Sequence, residues 1–285
     1  MTVSPVVLRY SAFAAAPDGG NPAGVVLDGG SLSEARMQEI AAEVGYSETA
    51  FVGGRAADAP GARYRVRYWS PTAEVPFCGH ATVATAVALA ERDGPGEVVF
   101  DTNAGPVMLR STVSVDGEVA VSFTSVEPEV HAIDDAVLDR LLALLGVARS
   151  DLDPRFPAAV AFAGNRHPIV VLANRGLFDQ FRFAPAEVAA LMREQGWLGT
   201  VTVLHIPGDG SDIDARNLFP VGRITEDPAT GSAAASTGAY LREHGYGGRT
   251  IRIHQGAHVR RPSLLTVSIP ESGGIEVSGG AVPID

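Results

Sequence analysis

Hydrophobic and polar positions follow two periods along this chain, and the changes of period mark its elements. Tyr64-Arg65-Val66-Arg67-Tyr68-Trp69 alternates with period two, which predicts a strand with one buried face. Residues 33–44 place Met37, Ile40, Ala41 and Val44 on one stripe at helical spacing. Ser31 and Glu34 precede it with the spacing of a capping box, so a surface helix is expected. Residues 81–90 carry no charge on any face, and a helix that is apolar all round is a buried helix. Residues 233–241 repeat that character in Ala, Ser and Gly, small enough for walls of sheet to close around them. Strands are expected near 97–101, 106–115, 118–123, 249–253, 264–269 and 274–278.

The two uncharged helices belong to a longer self-similarity. Cys78-Gly79-His80-Ala81-Thr82 lines up with Thr230-Gly231-Ser232-Ala233-Ala234 at an offset of 152 residues. Without a gap, Leu89 meets Leu241, Val99 meets Ile251, Asn103 meets Gln255 and Val107 meets Val259. At a shift of 144 to 145, Gly20-Asn21-Pro22 and Val25-Val26-Leu27 resemble Gly164-Asn165-Arg166 and Val170-Val171-Leu172. Two such registers in the same order predict a tandem duplication, with halves 1–127 and 128–285 and a boundary near the polar stretch 127–135. The expected architecture is α+β, each half an open barrel of strands around a central buried helix, with the terminal strand free to pack on the other half.

Composition narrows the chemistry. With 285 residues, 46% of them hydrophobic and 19% charged, two compact units of ordinary size are affordable. The net charge of −11, with no basic run, opposes binding to a phosphate backbone, so nucleic acid is not an expected partner. No apolar run approaches the roughly 18 residues of a membrane span, and the first twenty residues have no cationic start, so a cytoplasmic location is expected. All 22 basic residues are Arg. Without Lys there is no Schiff base, no amine nucleophile and no P-loop. Cys78 is the one cysteine, so no intrachain disulfide or multi-Cys metal cage can form. Neither a metal nor a cofactor is expected. His254 and His258 are four apart across a Gly and share no helical face, and Asp212-Ile213-Asp214 reads as a solvated loop.

The candidate chemistry gathers at the two Gly-led helix starts, Cys78-Gly79-His80 and Thr230-Gly231-Ser232, and the active site is expected at the seam of the halves. First-turn N–H groups have no intrahelical acceptor and favour an anion, here a substrate carboxylate and the enolate-like charge formed when a neighbouring carbon loses its proton. Glu48, in Tyr46-Ser47-Glu48-Thr49-Ala50-Phe51-Val52, is the leading proton carrier, because a carboxylate against apolar neighbours moves toward the range where it can both take and give a proton. A solvated Glu at a strand end is the bland alternative. Asp227, just before Pro228, either orients the substrate or caps the turn. His80 and Ser232 either bind the anion or cap their own helices. Cys78 is either a thiol acidified by the helix start or a small buried hydrophobe.

Four ordered segments, Gly20-Asn21-Pro22-Ala23-Gly24-Val25-Val26-Leu27, Ser47-Glu48-Thr49-Ala50-Phe51-Val52, Pro76-Phe77-Cys78-Gly79-His80-Ala81-Thr82 and Glu226-Asp227-Pro228-Ala229-Thr230-Gly231-Ser232-Ala233, resemble the phenazine-biosynthesis PhzF-like family over nearly the whole chain. The resemblance implies the diaminopimelate epimerase fold, a homodimer, and a cofactor-independent isomerase acting on a small carboxylate-bearing substrate. The family's best-understood activity is isomerisation of a dihydro-hydroxyanthranilate. By position Glu48 would move the proton, Asp227 and His80 would assist, and Gly79, Gly231, Ser232, Thr230, Asn21 and Cys78 would hold the substrate. The epimerase relatives use two cysteines. Here the partner of Cys78 is Thr230, which excludes a two-thiol mechanism. A single-Cys epimerase or dehydratase using Cys78, and a catalytically silent binding protein for a small acid, remain as alternatives. Loops at 55–62, 155–161 and 205–217 are expected to set substrate size.

Overall fold

The period-two segments pair in one pattern that occurs twice. The computed structural model describes residues 5–55, 62–222 and 224–285; the core of the first substrate-size loop, 56–61, lies outside the described residues. The chain forms two compact units, Met1–Thr124 with Ser278–Asp285, and Ser125–Val277.

The first unit contains β1 (Leu8–Ala12), β2 (Asn21–Val26), α1 (Glu34–Val44), β3 (Glu48–Arg55), β4 (Ala62–Trp69), β5 (Glu74–Val75), α2 (Gly79–Asp93), β6 (Glu97–Thr102), β7 (Gly105–Val113) and β8 (Val119–Thr124). Strand β2 runs antiparallel to β1 and parallel to β3; β3 is antiparallel to β4, and β4 is antiparallel to β5 but parallel to β6. From β6 the sheet continues antiparallel through β7 to β8. The C-terminal strand, described below, pairs with both β8 and β1 and closes this sheet into an eight-strand barrel.

Helix α2 packs on β1, β2, β3, β7 and β8, and every residue from His80 to Ala90 is buried. The hydroxyls of Thr82 and Thr85 donate back to the carbonyls of Cys78 and Ala81 at 2.7 Å, so the enclosed helix satisfies its own polar side chains. Helix α1 is the expected surface helix, its apolar stripe Met37, Ile40 and Ala41 packed with Val26, Phe51 and Trp69. Its cap is Ser33, which accepts from the Arg36 N–H at 3.3 Å, and not Ser31; the helix starts at Glu34, and Ser33 directly before it has the extended backbone that aims its oxygen at the first turn.

The second unit contains β9 (Glu129–Ala132), α3 (Asp135–Leu145), β10 (Ala159–Phe162), β11 (Arg166–Val171), α4 (Arg175–Gln180), α5 (Pro185–Gln195), β12 (Val201–His205), β13 (Asp212–Leu218), β14 (Glu226–Asp227), α6 (Gly231–Leu241), β15 (Arg249–Gln255) and β16 (Ser263–Ile269); β17 (Glu276–Pro283) leaves it at Val277. The order of pairing repeats that of the first unit: β11 is antiparallel to β10 and parallel to β12, β12 is antiparallel to β13, and β13 is antiparallel to β14 but parallel to β15. Helices α3 and α5 bury Leu138, Leu141, Leu145, Leu191 and Met192 in one apolar cluster. Helix α6 is buried except at Ser232, and packs on β9, β10, β11 and β16. Asp212 and Asp214 begin β13 and are not loop residues, because Asp212 is tied to β15 by Arg252 at 2.6 Å and His254 at 2.8 Å. Residues 205–217, expected as a loop, are therefore mostly strand.

The paired registers give the duplication a residue-level test. Tyr68 faces Val75 as Asn217 faces Asp227, so β4 maps onto β13 at 149 residues while β5 and the helix start map at 152. Arg67 then corresponds to Arg216 and Glu74 to Glu226, and each unit holds the same forked ion pair: Arg67 to Glu74 at 2.6 and 2.7 Å, Arg216 to Glu226 at 2.5 and 3.2 Å. Beyond the helix the parallel pairing corrects the gapless alignment. Arg63 faces Val99 and Asp212 faces Arg252, so the offset there is 153, and Thr102 rather than Asn103 corresponds to Gln255. A slip of one residue would turn the buried face of the strand outward. No helix among the described residues is long and apolar enough to cross a membrane.

Gly256 has φ +80°, and a Cβ there would collide with the Arg261 carbonyl and lie 2.6 Å from that of Pro228. Backbone cannot yield as a side chain can, so Gly256→Ala combines left-handed strain with overpacking, together about 2–4 kcal/mol. We expect its thermal unfolding midpoint to drop by roughly 5 °C or more in a calorimetric scan.

Candidate active site

Helix α2 starts where β5 delivers the chain to the end of the barrel, and its first turn meets the N-terminal ends of β2 and β3. Parallel pairing sets Ala23 beside Glu48 and so brings Asn21 and Glu48 to the same end. Cys78, His80, Glu48, Asn21 and Ser47 form one cluster there. The Cys78 thiol donates to Glu48 Oε2 at 3.4 Å, and His80 Nε2 lies 3.5 Å from the same oxygen. The Asn21 amide meets His80 Nδ1 at 3.2 Å and Ser47 Oγ meets Nε2 at 3.3 Å. With the amide of Asn21 donating to Nδ1, the imidazole carries its hydrogen on Nε2, toward Ser47 and the carboxylate. His80 is buried, whereas the Glu48 side chain keeps 21% of its surface exposed. The cluster is therefore a carboxylate held by a thiol and an imidazole and still open on one side, which is the form a proton carrier needs.

Geometry excludes the capping alternative for His80. Cys78 occupies the cap position with extended backbone, and its side chain makes no capping bond. His80 is two residues into the helix and turns to Asn21, Ser47 and Glu48. The same holds in the second unit, where Thr230 is the cap residue, again without a capping bond, and Ser232 is not a cap. The Thr230 hydroxyl is committed elsewhere: it donates to Asp227 Oδ2 at 2.5 Å and accepts from Gln255 Nε2 at 3.0 Å. Gln255 Nε2 also meets the Asp227 carbonyl at 2.6 Å, so Asp227 is built into the approach to α6. Neither cap side chain takes up first-turn N–H groups, the arrangement that favours an anion at a helix start.

His167, on β11, was not singled out by the sequence. It is fully buried, its Nδ1 accepts the Thr200 N–H at 2.9 Å, and its Nε2 meets Ser232 Oγ at 3.1 Å. A backbone N–H can only donate, so the ring's hydrogen is on Nε2 and is given to Ser232, which leaves the serine hydroxyl hydrogen to point outward as a donor. Burial pushes the His167 pKa down to about 4, against 6.5 for the free side chain, partly offset by the Thr200 backbone. One sequence signal was available: Gly199 precedes Thr200, and any Cβ there would run into the His167 ring. His254 and His258 turn to different partners, Asp212 at 2.8 Å and Asp179 at 3.5 Å.

The registers also pair the two clusters position by position. Ala50 faces Tyr68 as Thr202 faces Asn217, so Glu48 corresponds to Thr200, Cys78 to Thr230 and His80 to Ser232. At each of these places the first unit has a titratable side chain and the second a hydroxyl.

A neutral buried His167 makes stability depend on pH in a defined window. Between pH 4 and 6.5 the unfolded chain binds the proton that the folded ring refuses, so stability rises with pH there and is level above it. The full contribution is on the order of 3 kcal/mol. Urea midpoints of the wild type and His167→Gln, measured from pH 4 to 8, should show a steeper slope in the wild type than in the variant, with the variant less stable at pH 7.

Residues 10–285 match the family described as Phenazine biosynthesis-like protein, PhzC-PhzF. The chain is 32% identical over 296 residues to Uncharacterized isomerase YddE of Escherichia coli O157:H7, covering 98% of this chain and 96% of that one. It is 32% identical over 282 residues to trans-2,3-dihydro-3-hydroxyanthranilate isomerase of Pseudomonas chlororaphis, covering 95% and 94%. The crystal structure of the Bacillus anthracis phenazine biosynthesis protein of the PhzF family is similar with a TM-score of 0.84 at 27% identity, covering 98% and 96%. Two units of one strand order, each around an apolar helix, agree with these likenesses, and the chain belongs to the phenazine biosynthesis-like family as an isomerase of epimerase-like α+β fold.

Proposed function

We propose that this chain is a cofactor-independent isomerase in which Glu48 moves a proton between two carbons of a small carboxylate-bearing substrate. One observation carries the reading: Glu48, Cys78 and His80 lie within 3.4–3.7 Å of one another, whereas the corresponding positions of the second unit are Thr200, Thr230 and Ser232. A single acid/base group serves a transfer in which a proton leaves one carbon and returns to another on the same face. Inversion of a stereocentre without turning the substrate needs two such groups, on opposite faces. In the proposed step the substrate C–H proton passes to the Glu48 carboxylate and the electron pair delocalises toward the substrate carboxylate. The Glu48 carboxylic acid then returns the proton to the second carbon.

In this scheme His80 keeps Glu48 oriented through its Nε2–H, and Asn21 fixes the ring in that tautomer. Gly79 admits the substrate close to the first-turn N–H groups of α2. The α6 start, with Gly231, the outward-pointing Ser232 hydroxyl and Thr230 held by Asp227, is suited to hold an anion by the same physics. The likeness to trans-2,3-dihydro-3-hydroxyanthranilate isomerase supports a cyclic amino acid as substrate and supplies the first compound to try.

The test is incubation in deuterated water with trans-2,3-dihydro-3-hydroxyanthranilate and a panel of cyclic and amino carboxylic acids, read by mass spectrometry. Label should enter with the wild type and fall about 10³-fold in Glu48→Gln. Cys78→Ser should keep exchange within about tenfold, since loss of the thiol removes only one donor to the carboxylate. Undiminished label in Glu48→Gln with loss in Cys78→Ser would transfer the chemistry to the thiol. Tight binding of an acid without any exchange would instead favour a binding protein.

A further inference from the structure

Cys78, His80 and Glu48 present three donor atoms of different softness: a sulfur, an imidazole nitrogen and a carboxylate oxygen. Their separations are 3.4 Å for Sγ to Oε2, 3.7 Å for Sγ to Nε2 and 3.5 Å for Nε2 to Oε2. Zinc bonds of about 2.3 Å to sulfur and about 2.0–2.2 Å to nitrogen and oxygen, at tetrahedral angles, give edges of about 3.3–3.6 Å. The observed triangle matches one face of that tetrahedron to within about 0.2 Å. Three ligands from one side leave the fourth position open.

We propose that this triangle is a binding site for zinc and similar thiophilic divalent ions, and that such an ion inhibits the enzyme by occupying Glu48. The site binds by loss of the thiol proton to solvent. Thiolate and carboxylate together then balance the ion's two positive charges, which removes the cost of burying an uncompensated charge beside an apolar helix. The imidazole hydrogen moves from Nε2 to Nδ1, which frees the Nε2 lone pair for the ion. Asn21 is already in place as the outer partner: rotation of its amide by half a turn presents the oxygen to Nδ1–H, the contact that orients ligating histidines. A sulfur and a nitrogen in the set select zinc, cobalt and copper over magnesium and calcium, which need oxygen ligands. The second unit offers no such site at the corresponding places, because Thr200, Thr230 and Ser232 supply neither thiolate nor imidazole.

The inhibitory part rests on Glu48 being the proton carrier, so binding and inhibition are read separately. Cobalt(II) titrated into the wild-type protein should give a near-ultraviolet thiolate charge-transfer band and the intense visible bands of four-coordinate cobalt. Zinc(II), but not magnesium(II), should abolish both. The charge-transfer band should vanish in Cys78→Ser, and cobalt affinity should fall at least tenfold in His80→Gln and Glu48→Gln. On the wild-type chain, equimolar zinc(II) should slow iodoacetamide alkylation of Cys78 at least tenfold, a reading that stands even if a variant fails to fold. Absence of the thiolate band in the wild type, its survival in Cys78→Ser, or alkylation indifferent to zinc would overturn the site. If the bands appear as described but zinc leaves deuterium exchange intact, the inhibition is overturned; if no acid exchanges at all, the acid/base reading fails while the metal site stands.

Discussion

A helix with no polar side must be enclosed, and that requirement organises each unit. Residues 80–90 of α2 expose almost nothing, so strands surround the helix and leave only its ends accessible. An enclosed helix can meet polar groups only at its termini, where the first-turn N–H groups lack partners within the helix. The side chains that reach the start of α2 are those at the strand ends nearby, Asn21 from β2 and Glu48 from β3, with Cys78 and His80 from the helix start itself.

Enclosure also explains why the helix-start side chains are not ordinary caps. A capping Ser or Asp would satisfy the first-turn N–H groups with its own side chain. Cys78 makes no capping bond, and Thr230 has its hydroxyl drawn off by Asp227 and Gln255. The cost falls on fold stability and is offset by burial of the apolar helix; the forked Arg67–Glu74 and Arg216–Glu226 pairs recur at equivalent places and tie β4 to β5 and β13 to β14. The latter pair is almost wholly buried and further tied by Arg216 to the carbonyls of Phe178 and Phe181 at 3.1 and 3.2 Å.

The duplicated plan has diverged in its titratable side chains and kept its strand order. Strand order, ion pair and enclosed helix are common to both units, while thiol, imidazole and carboxylate occupy one set of positions and hydroxyls the other. In the second unit a buried neutral imidazole, His167, stands at the place of Ala23 and orders Ser232 without holding a charge at neutral pH. Buried ionisable groups that keep their charge, such as Arg216 and Glu226, are paired, whereas His167, with no ionic partner among the described residues, is held neutral by burial.

Sequence alone determined the elements whose signal is local or periodic. The uncharged runs specified two buried helices, alternation specified the strands, and the repeated Gly-led starts specified where the chain would bring chemistry-bearing residues. Four ordered motifs were sufficient to point to the family. Tertiary structure decided whatever depends on pairing between distant strands. The 153-residue register beyond the helix, the closure of the first barrel by residues from Ser278 onward, and strand character at Asp212 and Asp214 come from partners dozens of residues away or more. His167 and Gln255 escaped the sequence for the same reason. An isolated histidine in an apolar strand is indistinguishable from a core residue until the fold sets Thr200 on one of its nitrogens and Ser232 on the other, and no spacing along the chain encodes that contact.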